Sequence, residues 1–351
     1  MKIIKTQNPK PKPIGKIKFG TVFTDHMFVA KYSADKGWHD ETIQPYQPFV
    51  LDPSSSIFHY GQGVFEGLKA YKNHLGEIMM FRPLENFKRM NSSNERMMIP
   101  PIDEHKMLQN LVELVRLDQD WIPTGEGESL YIRPVIIAND NSLGVHTAQN
   151  YIMFIIMSPV GAYYANGLAP VRLYVEEFYV RAAKGGTGNY KFIGNYAASL
   201  KASDKAEKLG YDQVLWLDAQ YKKYVEEVGS MNIFFVKNGE VITPSLEGSI
   251  LPGITRMSII ELLRYKGYKV TERLIEIEEV IEGIKSGEVT ECFGTGTAAV
   301  VSPVGVIGYN GQDYTVGDGK TGKITLDAYK SLTDIQHGRA PDVFNWTYKI
   351  K

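Results

Sequence analysis

The stretch "GGTGNYKFIGNY", residues 185–196, surrounds one lysine, Lys191, with four glycines and two tyrosines. Glycine is unfavourable inside helices and weakens strands, so the stretch predicts a loop. A lysine in water-poor surroundings loses its proton more easily, and a neutral amine attacks an aldehyde to form an imine. The glycines would let a flat ligand approach the backbone. A surface loop with a solvated lysine is an equally good interpretation of this motif alone.

The composition excludes several classes of protein. The 351 residues, 43% of them hydrophobic, predict two domains. A net charge of −1 gives no reason to expect nucleic acid or a membrane surface as partner. Cys292 is the only cysteine and the seven histidines show no ligand spacing, so we expect neither a disulfide nor a metal. A lysine- and proline-rich N-terminus and the lack of a long apolar run favour a cytoplasmic protein without membrane contact.

Strands and helices alternate irregularly through both halves of the chain, which predicts an α+β fold rather than a regular doubly wound sheet. One helix is predicted to follow Asp103 as its N-cap, and Asn238-Gly239 predicts a hairpin. The small residues of "SPVGAYYANGLAP" (158–170) indicate a connection between domains. We therefore place a small N-terminal α/β domain at 1–160, a loop at 161–170 and a large C-terminal domain at 171–351.

Two further glycine motifs suggest an anion site. "LPGITR" (251–256) precedes a helix that starts near Ile254, whose first N–H groups and the Thr255 hydroxyl would suit a phosphate. "CFGTGTAAVVSP" (292–303) predicts a turn between strands, with N–H groups near Thr297 and Ala298 facing a small anion. An ordinary helix start and a structural turn are the alternatives for these two motifs.

The remaining polar candidates sit in apolar surroundings. Glu226 and Glu227 lie on an apolar strand, where alternation turns only one of them inward, and two exposed carboxylates are the alternative. Arg89 lies on a helix and has the planar group that suits phosphate, although most helix arginines are surface residues. "SLYIRP" places Tyr131 and Arg133 on one face of a strand. Tyr60 and Phe65 of "SSIFHYGQGVFEGLKAY" (55–71) line either a pocket or the core, and composition does not separate these possibilities.

Taken together and in this order, the motifs resemble the branched-chain amino-acid aminotransferases, members of the fold-type IV family of pyridoxal-phosphate (PLP) enzymes. The resemblance covers nearly the whole chain. The matching motifs are "FGTVFTDHM" (19–27), "HYGQGVFEGLKAY", "FRPLENFKRM", "YIRP", "SLGV", "GAYY", "GGTGNYKFIGNY", "EEVGSMNIFF", "LPGIT" and "GTGTAAVVSP".

The resemblance implies a set of cofactor residues. Lys191 resembles the lysine that holds PLP covalently and moves the proton at the substrate Cα. Tyr196 resembles the tyrosine at the phenolic oxygen of the cofactor, and Glu227 the carboxylate at its pyridine nitrogen. A carboxylate there favours the protonated ring, which is the stronger electron sink. The phosphate would be bound by a further group: Arg89, Ile254, Thr255 and Thr297.

The resemblance also implies a substrate pocket. Thr297 and Ala298, helped by Tyr60, would bind the substrate carboxylate. Arg133 would orient its neighbours and accept the side-chain carboxylate of glutamate. The apolar lining would comprise Phe19, Phe65, Tyr131, Tyr163 and Ala298. Leu143 and Val145 resemble a loop that reaches the neighbouring subunit's site, so the resemblance implies a homodimer with shared active sites.

The expected activity is transfer of the amino group of L-leucine, L-isoleucine or L-valine to 2-oxoglutarate. A D-amino-acid aminotransferase or an aminodeoxychorismate lyase of the same fold is the nearest alternative, and a homologue without catalytic activity is the third. The chain departs from the family pattern at Ile193, where a glycine is usual. It also lacks, at Ala299 and Ser302, the cysteine pair that some relatives carry, which argues against thiol regulation.

Overall fold

Two nine-stranded sheets carry the fold in the computed structural model, which describes residues 1–13, 15, 17–161 and 168–350. The chain divides into two units. The first holds the described residues up to 161, together with 190–193 and 335–350, and the second holds 168–189 and 194–334. Both units mix strands and helices, which confirms the predicted α+β class.

The first unit is built on a mostly antiparallel sheet with the order β1-β3-β2-β8-β7-β5-β6-β18, and β4 pairs with β7. Helices α2 and α3 contribute Phe87, Met90 and Leu111, which are fully buried, to its core. The elements are β1 (Lys2–Ile3), β2 (His26–Ser33), β3 (Gly37–Pro45), α1 (Ser56–Tyr60), β4 (Gly63–Phe65), β5 (Leu68–Lys72), β6 (Ile78–Phe81), α2 (Pro83–Arg96), α3 (Glu104–Leu117), β7 (Ser129–Ala138), β8 (Asn150–Val160) and β18 (Thr347–Ile350).

The second unit has the strand order β11-β10-β9-β16-β15-β12-β13-β14, with β17 on β16. Strand β11 also pairs with β12, so six of these strands form a closed ring. The elements are β9 (Val171–Glu176), α4 (Ile193–Ala197), α5 (Leu200–Lys208), β10 (Gln213–Leu217), β11 (Val225–Val228), β12 (Met231–Lys237), β13 (Glu240–Thr243), α6 (Ile254–Tyr265), β14 (Val270–Glu272), α7 (Ile277–Ser286), β15 (Val289–Gly296), β16 (Val300–Tyr309), β17 (Gln312–Thr315) and α8 (Lys323–Gln336).

Local sequence signals account for several element boundaries. The Asp103 carboxylate accepts a hydrogen bond from the Lys106 N–H at 2.9 Å, which confirms the predicted N-cap of α3. Asn238 and Gly239 both have positive φ, 51° and 78°, as a two-residue hairpin turn between twisted strands requires. Every helix within the described residues is too short or too polar to cross a membrane.

The C-terminal end of the chain differs from the predicted domain at 171–351. Residues 335–350 belong to the first unit, because β18 pairs antiparallel with β6. The Arg82 N–H donates to the Trp346 carbonyl at 2.7 Å, and the Trp346 ring packs edge-on against Phe81. The predicted loop at 161–170 stays a prediction, since 162–167 lie outside the described residues.

Candidate active site

The backbone of Lys191 is fixed within the first unit. The Lys191 N–H donates to the Ser93 hydroxyl on α2 at 2.9 Å, and the Lys191 carbonyl accepts from the Phe65 N–H at 3.1 Å. The next residue, Phe192, forms a bridge with Val64 of β4. The lysine is therefore held between a strand and a helix, and the interpretation as a solvated surface loop is wrong.

The amine of Lys191 is activated by its surroundings. Its pKa is lowered from 10.5 to about 8, mainly by burial and also by the positive charge of Arg89, whereas the negative charge of Glu66 opposes this shift. At pH 7 a pKa of about 8 leaves about 10% of the amine neutral, roughly 300-fold more than in an ordinary lysine. The Nζ atom lies 5.0 Å from the centre of the Phe65 ring. The amine of Lys191, beside the Phe65 ring, is therefore suited to act as a nucleophile.

Glu66 is a site residue that the motif analysis missed. Its carboxylate is fully buried and receives the Arg89 guanidinium side-on, with Nε–Oε1 at 2.7 Å and Nη2–Oε2 at 2.8 Å. Asn86 and the Gly67 N–H also donate to Oε2. Burial alone would raise the pKa of Glu66, but Arg89 outweighs it and keeps the pKa below the usual range. The available signal was an acidic residue inside the apolar run "GVFEGLKAY".

Arg133 contacts aromatic side chains, one of which, Tyr131, lies on the same face of β7, as strand alternation predicted. The Arg133 guanidinium donates to the Tyr131 hydroxyl at 2.9 Å and lies 4.5 Å above the centre of the Phe65 ring. Phe19 packs edge-on against Tyr131, with ring centres 4.9 Å apart. A Cβ at position 67 would lie 2.1 Å from the Tyr131 hydroxyl, so Gly67 is required for this ring to fit. The first unit thus brings together an apolar surface with a single arginine in it.

Tyr60, Leu143 and Val145 lie in a separate, exposed part of the first unit. The Tyr60 hydroxyl donates to the Leu143 carbonyl. The side chains of Leu143 and Val145 are 67% and 83% exposed. Tyr163, assigned to the apolar pocket by resemblance, lies outside the described residues.

In the second unit, Glu227 is held in a fixed orientation. Its Oε2 lies 2.7 Å from Arg181 Nε, and both side chains are buried. Its Oε1 accepts from the Leu251 N–H at 2.9 Å and from Asn232 Nδ2 at 3.3 Å. An arginine partner stabilises an ionised carboxylate, which is compatible with the role that the resemblance implies for Glu227. Arg181, like Glu66, was not found from the sequence, because its partner is 46 positions away.

Glu226 corrects the expectation that only one of the two carboxylates points inward. Both are buried, with Glu226 at 7% and Glu227 at 3% exposure. Alternation does turn them to opposite faces of β11, but both faces are covered. On its face, Glu226 accepts a hydrogen bond from the Ser249 hydroxyl.

The start of α6 fits a phosphate. Gly253 is the N-cap, no side chain of the described residues caps the helix, and Ile254 and Thr255 are buried at its first turn. A Cβ at Gly253 would lie 2.1 Å from Asn232 Oδ1, so the close approach requires glycine. The helix begins at Ile254, as predicted, and a helix start without a side-chain cap, with a buried hydroxyl beside it, is suited to an anion.

The turn of "GTGTAA" joins β15 to β16, as predicted, with Thr297 and Ala298 between the strands. Val300 follows with φ of 63°, a left-handed conformation that a β-branched residue adopts only under strain. Such strain concentrates at ligand-binding backbone. The backbone is therefore strained at Val300, close to Thr297 and Ala298, the two residues assigned to the substrate carboxylate.

Tyr196 lies on the short helix α4 and is partly buried. The glycine loop before it is tied to the same helix, since Asn195 and Thr187 exchange hydrogen bonds at 2.6 and 2.8 Å. Ile193, the departure from the family pattern, contacts Gly63 of β4, where an added Cβ would lie 2.6 Å from Ile193 Cδ1. The Ile193 side chain therefore packs the segment that carries Lys191 against β4.

The comparisons with known proteins agree with the resemblance. The pattern of the amino-transferase class IV family matches residues 63–307. The chain is 55% identical to branched-chain-amino-acid transaminase 1 and 53% identical to branched-chain-amino-acid aminotransferase 2 of Bacillus subtilis (strain 168); the alignments cover 98% and 100% of this chain and 96% of each relative. The structure of the branched-chain aminotransferase of Thermoproteus uzoniensis with norvaline is 27% identical, with a TM-score of 0.75 over 93% of this chain and 100% of that one. Sequence, fold and full-length similarity lead to one conclusion: the chain belongs to the amino-transferase class IV family.

Proposed function

We propose that the chain is a PLP-dependent transaminase that moves the amino group of L-leucine, L-isoleucine or L-valine to 2-oxoglutarate. The observation that carries this proposal is the Lys191 amine, whose pKa of about 8 makes it a nucleophile at neutral pH. The full-length relatives named above, both of them branched-chain enzymes, support the choice of substrate.

In this proposal several of the residues described above would hold the cofactor. Lys191 would bind it covalently, and Arg89, which is paired with Glu66, would contribute positive charge for its phosphate. Glu227 would lie at the ring nitrogen and Tyr196 at the phenolic oxygen. Ile254, Thr255 and Thr297 would offer N–H and hydroxyl donors to the phosphate. Bound PLP supplies an electron sink that stabilises negative charge on the substrate Cα.

The substrate residues follow from the same assignment. Phe19, Phe65 and Tyr131 form an apolar surface that suits a branched side chain, and we assign Tyr163 and Ala298 to it as well. Arg133 lies over the Phe65 ring of this surface, and it would accept the second carboxylate of glutamate. The substrate α-carboxylate would be bound by the N–H groups of Thr297 and Ala298 together with Tyr60. Lys191 would also move the proton at Cα.

The proposal includes a homodimer with shared active sites and a cytoplasmic location. The exposed Leu143 and Val145 support the dimer, because apolar side chains left in water at a loop suit an interface. The location rests on the composition of the sequence. No contact among the described site residues favours the D-amino-acid aminotransferase or the lyase alternative.

The test is the visible spectrum of the purified protein before and after L-leucine is added without an acceptor. We expect a yellow protein that loses its colour with L-leucine and regains it with 2-oxoglutarate. A yellow protein that responds only to D-alanine would replace the proposal with the D-amino-acid alternative. A protein that stays colourless after incubation with PLP would contradict the use of the cofactor.

A further inference from the structure

A cavity in the second unit lies on the face of β11 that carries Glu226. Its volume is about 460 Å3, within the range of small-molecule sites. The segments that line it are the loop at 183–184, the hairpin at 218–224, the start of β11 and the segment at 245–250, and we call this space the Glu226 cavity. None of the described residues to which we assign cofactor or substrate lines it.

Glu226 is an incompletely paired carboxylate in the wall of this cavity. The residue is 7% exposed, and its Oε1 accepts from the Ser249 hydroxyl. Within the part of the chain that the structure describes, Oε2 has no hydrogen-bond partner. A buried carboxylate oxygen without a partner is costly, and burial raises the pKa of Glu226 above its usual value although the Ser249 hydroxyl and the charge of Arg181 oppose this. A cation in the cavity would remove that cost.

The rest of the lining carries negative charge and aromatic rings. Asp218 also lines the cavity, and although burial would raise its pKa, four backbone N–H donors outweigh this and keep it ionised. Glu247 and Lys184 lie at the rim as a loose pair at 3.9 Å, both largely exposed. The rings of Tyr221 and Tyr224 meet edge to face with centres 6.4 Å apart. Aromatic rings beside carboxylates form the environment that binds organic cations.

The apolar part of the lining decides between a metal ion and an organic cation. Val225, Ile250 and Leu274 line the same space and offer no ligand atoms from their side chains. A hard metal ion requires several oxygen ligands around it, whereas a cation with an apolar body uses both kinds of surface. The carboxylates also disfavour amino acids, because each brings a carboxylate of its own.

We propose that the Glu226 cavity binds an organic ammonium ion, with its cationic head beside Glu226 and its apolar body against Tyr221, Tyr224 and Leu274. This site is separate from the transaminase function proposed above and does not depend on it. The wall of the cavity also contacts the Glu227 ion pair, since the Ser249 carbonyl accepts a hydrogen bond from Arg181, whose Nε lies 2.7 Å from Glu227.

The probe for the test is benzyltrimethylammonium, titrated into the holoenzyme by isothermal calorimetry. A quaternary ammonium has no N–H and cannot form an imine with PLP, so its binding is separable from reaction at the cofactor. We expect saturable binding of one probe per chain. Glu226→Gln keeps the shape and the contact with Ser249 but removes the charge, and should weaken binding at least about tenfold. The matched control Glu282→Gln makes the same change at the surface of α7 and should leave the affinity unchanged.

A second variant covers the case in which Glu226→Gln fails to fold. Tyr221 is 65% exposed, so Tyr221→Ala removes one aromatic wall without opening the core, and it too should weaken binding. Equal affinity in wild type and in Glu226→Gln, or in wild type and Tyr221→Ala, would overturn the proposal. Absence of saturable heat would also overturn it. Competition of the probe with L-leucine, with an inhibition constant equal to its dissociation constant, would assign it to the catalytic site and likewise reject the inference.

Discussion

The Lys191 side chain has two roles in the proposed chemistry, since it would bind the cofactor covalently and transfer a proton. Its backbone bonds to Ser93 and Phe65 do not involve the amine, so Lys191→Ala should keep the fold. We expect this variant to lose transamination of L-leucine by a factor of at least about 1,000, because no other group supplies both the covalent link and the proton transfer. The control is Lys184→Ala, which removes an exposed lysine from the same region and should retain full activity. Substantial turnover by Lys191→Ala, with the circular dichroism unchanged, would remove Lys191 from its assigned role.

Burial is the main cause of the lowered pKa of Lys191, and two opposite charges modify it. Arg89 lowers the pKa of the amine and Glu66 raises it, so Glu66→Gln should move that pKa from about 8 to a lower value. The neutral amine is the reactive form, and its fraction rises as pH passes upward through the pKa. The rate at which the apoprotein takes up PLP should therefore reach half its maximum near pH 8 in wild type and at a lower pH in the variant. Stopped-flow absorbance across pH 6 to about 10 measures both midpoints.

The control for this shift is Glu85→Gln, on the same helix as Arg89. Glu85 pairs with Lys88 at 2.8 Å near the surface, so its charge should not affect Lys191. A midpoint that rises in Glu66→Gln would contradict an attraction between the Glu66 carboxylate and the protonated amine. A midpoint that shifts equally in both variants would show that the effect is not specific to Glu66.

Individual site residues were predictable from the sequence only where a local pattern carried them. Alternation along β7 was sufficient to put Tyr131 and Arg133 on one face, and their hydrogen bond confirms it. The roles of Glu66 and Arg181 depend on partners 23 and 46 positions away, which no local pattern reports. Glu226 was misjudged because alternation fixes the face of a side chain but not whether that face is covered.

At the scale of elements, periodicity and caps predicted α3 well. Met107, Leu111, Leu114 and Val115 form its buried stripe, and Asp103 caps it. The short elements were not predicted: β4 has three residues and α4 has five, too few for a period to be visible. These two elements also fix Lys191 and carry Tyr196, so the geometry around the lysine depended on tertiary contacts.

The cap of α3 gives a stability prediction. Asp103 is exposed, so its main contribution is the hydrogen bond to the Lys106 N–H and the attraction to the helix dipole. Asp103→Ala should lower the free energy of unfolding by about 1 kcal/mol, whereas Asp103→Ser, which keeps an acceptor, should recover most of it. Urea titration followed by tryptophan fluorescence reports on this unit, because three of the four tryptophans, Trp38, Trp121 and Trp346, belong to it. Identical midpoints for the two variants would show that the cap does not stabilise the helix.

At the scale of the whole molecule, the sequence predicted the fold class but not the path of the chain. Residues 190–193 and 335–350 join the first unit through pairing with β4 and β6, partners more than 100 positions away. Sheet pairing at such separations is decided by which edges remain open after the rest has folded. Strand β18 pairs with the edge of β6. A division of the chain into consecutive domains does not predict that the C-terminal residues return to the first unit.

The first unit leaves a connected group of apolar side chains in water. Val50, Phe58, Leu143 and Val145 are all more than 60% exposed. The segments that carry them are joined, because the Ser142 N–H donates to the Ser54 carbonyl and the Tyr60 hydroxyl donates to the Leu143 carbonyl. A connected apolar surface of this kind is typical of an interface between protein chains. It supports the proposed homodimer, in which the loop at 143–145 reaches the neighbouring site.

Val145→Asp tests that arrangement. The side chain is 83% exposed, so a charge there should leave the fold of the chain intact, but it would be desolvated in a dimer interface. We expect sedimentation equilibrium to give twice the 39.5 kDa chain mass for wild type and a concentration-dependent mixture for the variant, with a raised KM for L-leucine. Leu75→Asp is the matched control, because Leu75 is also apolar and 70% exposed but lies at the turn between β5 and β6, away from the connected group. In a shared site, loss of the dimer and loss of substrate binding should occur together. A Val145→Asp dimer as stable as wild type would contradict the proposed interface. A weakened dimer with an unchanged KM would show that the loop at 143–145 does not contribute to the neighbouring site.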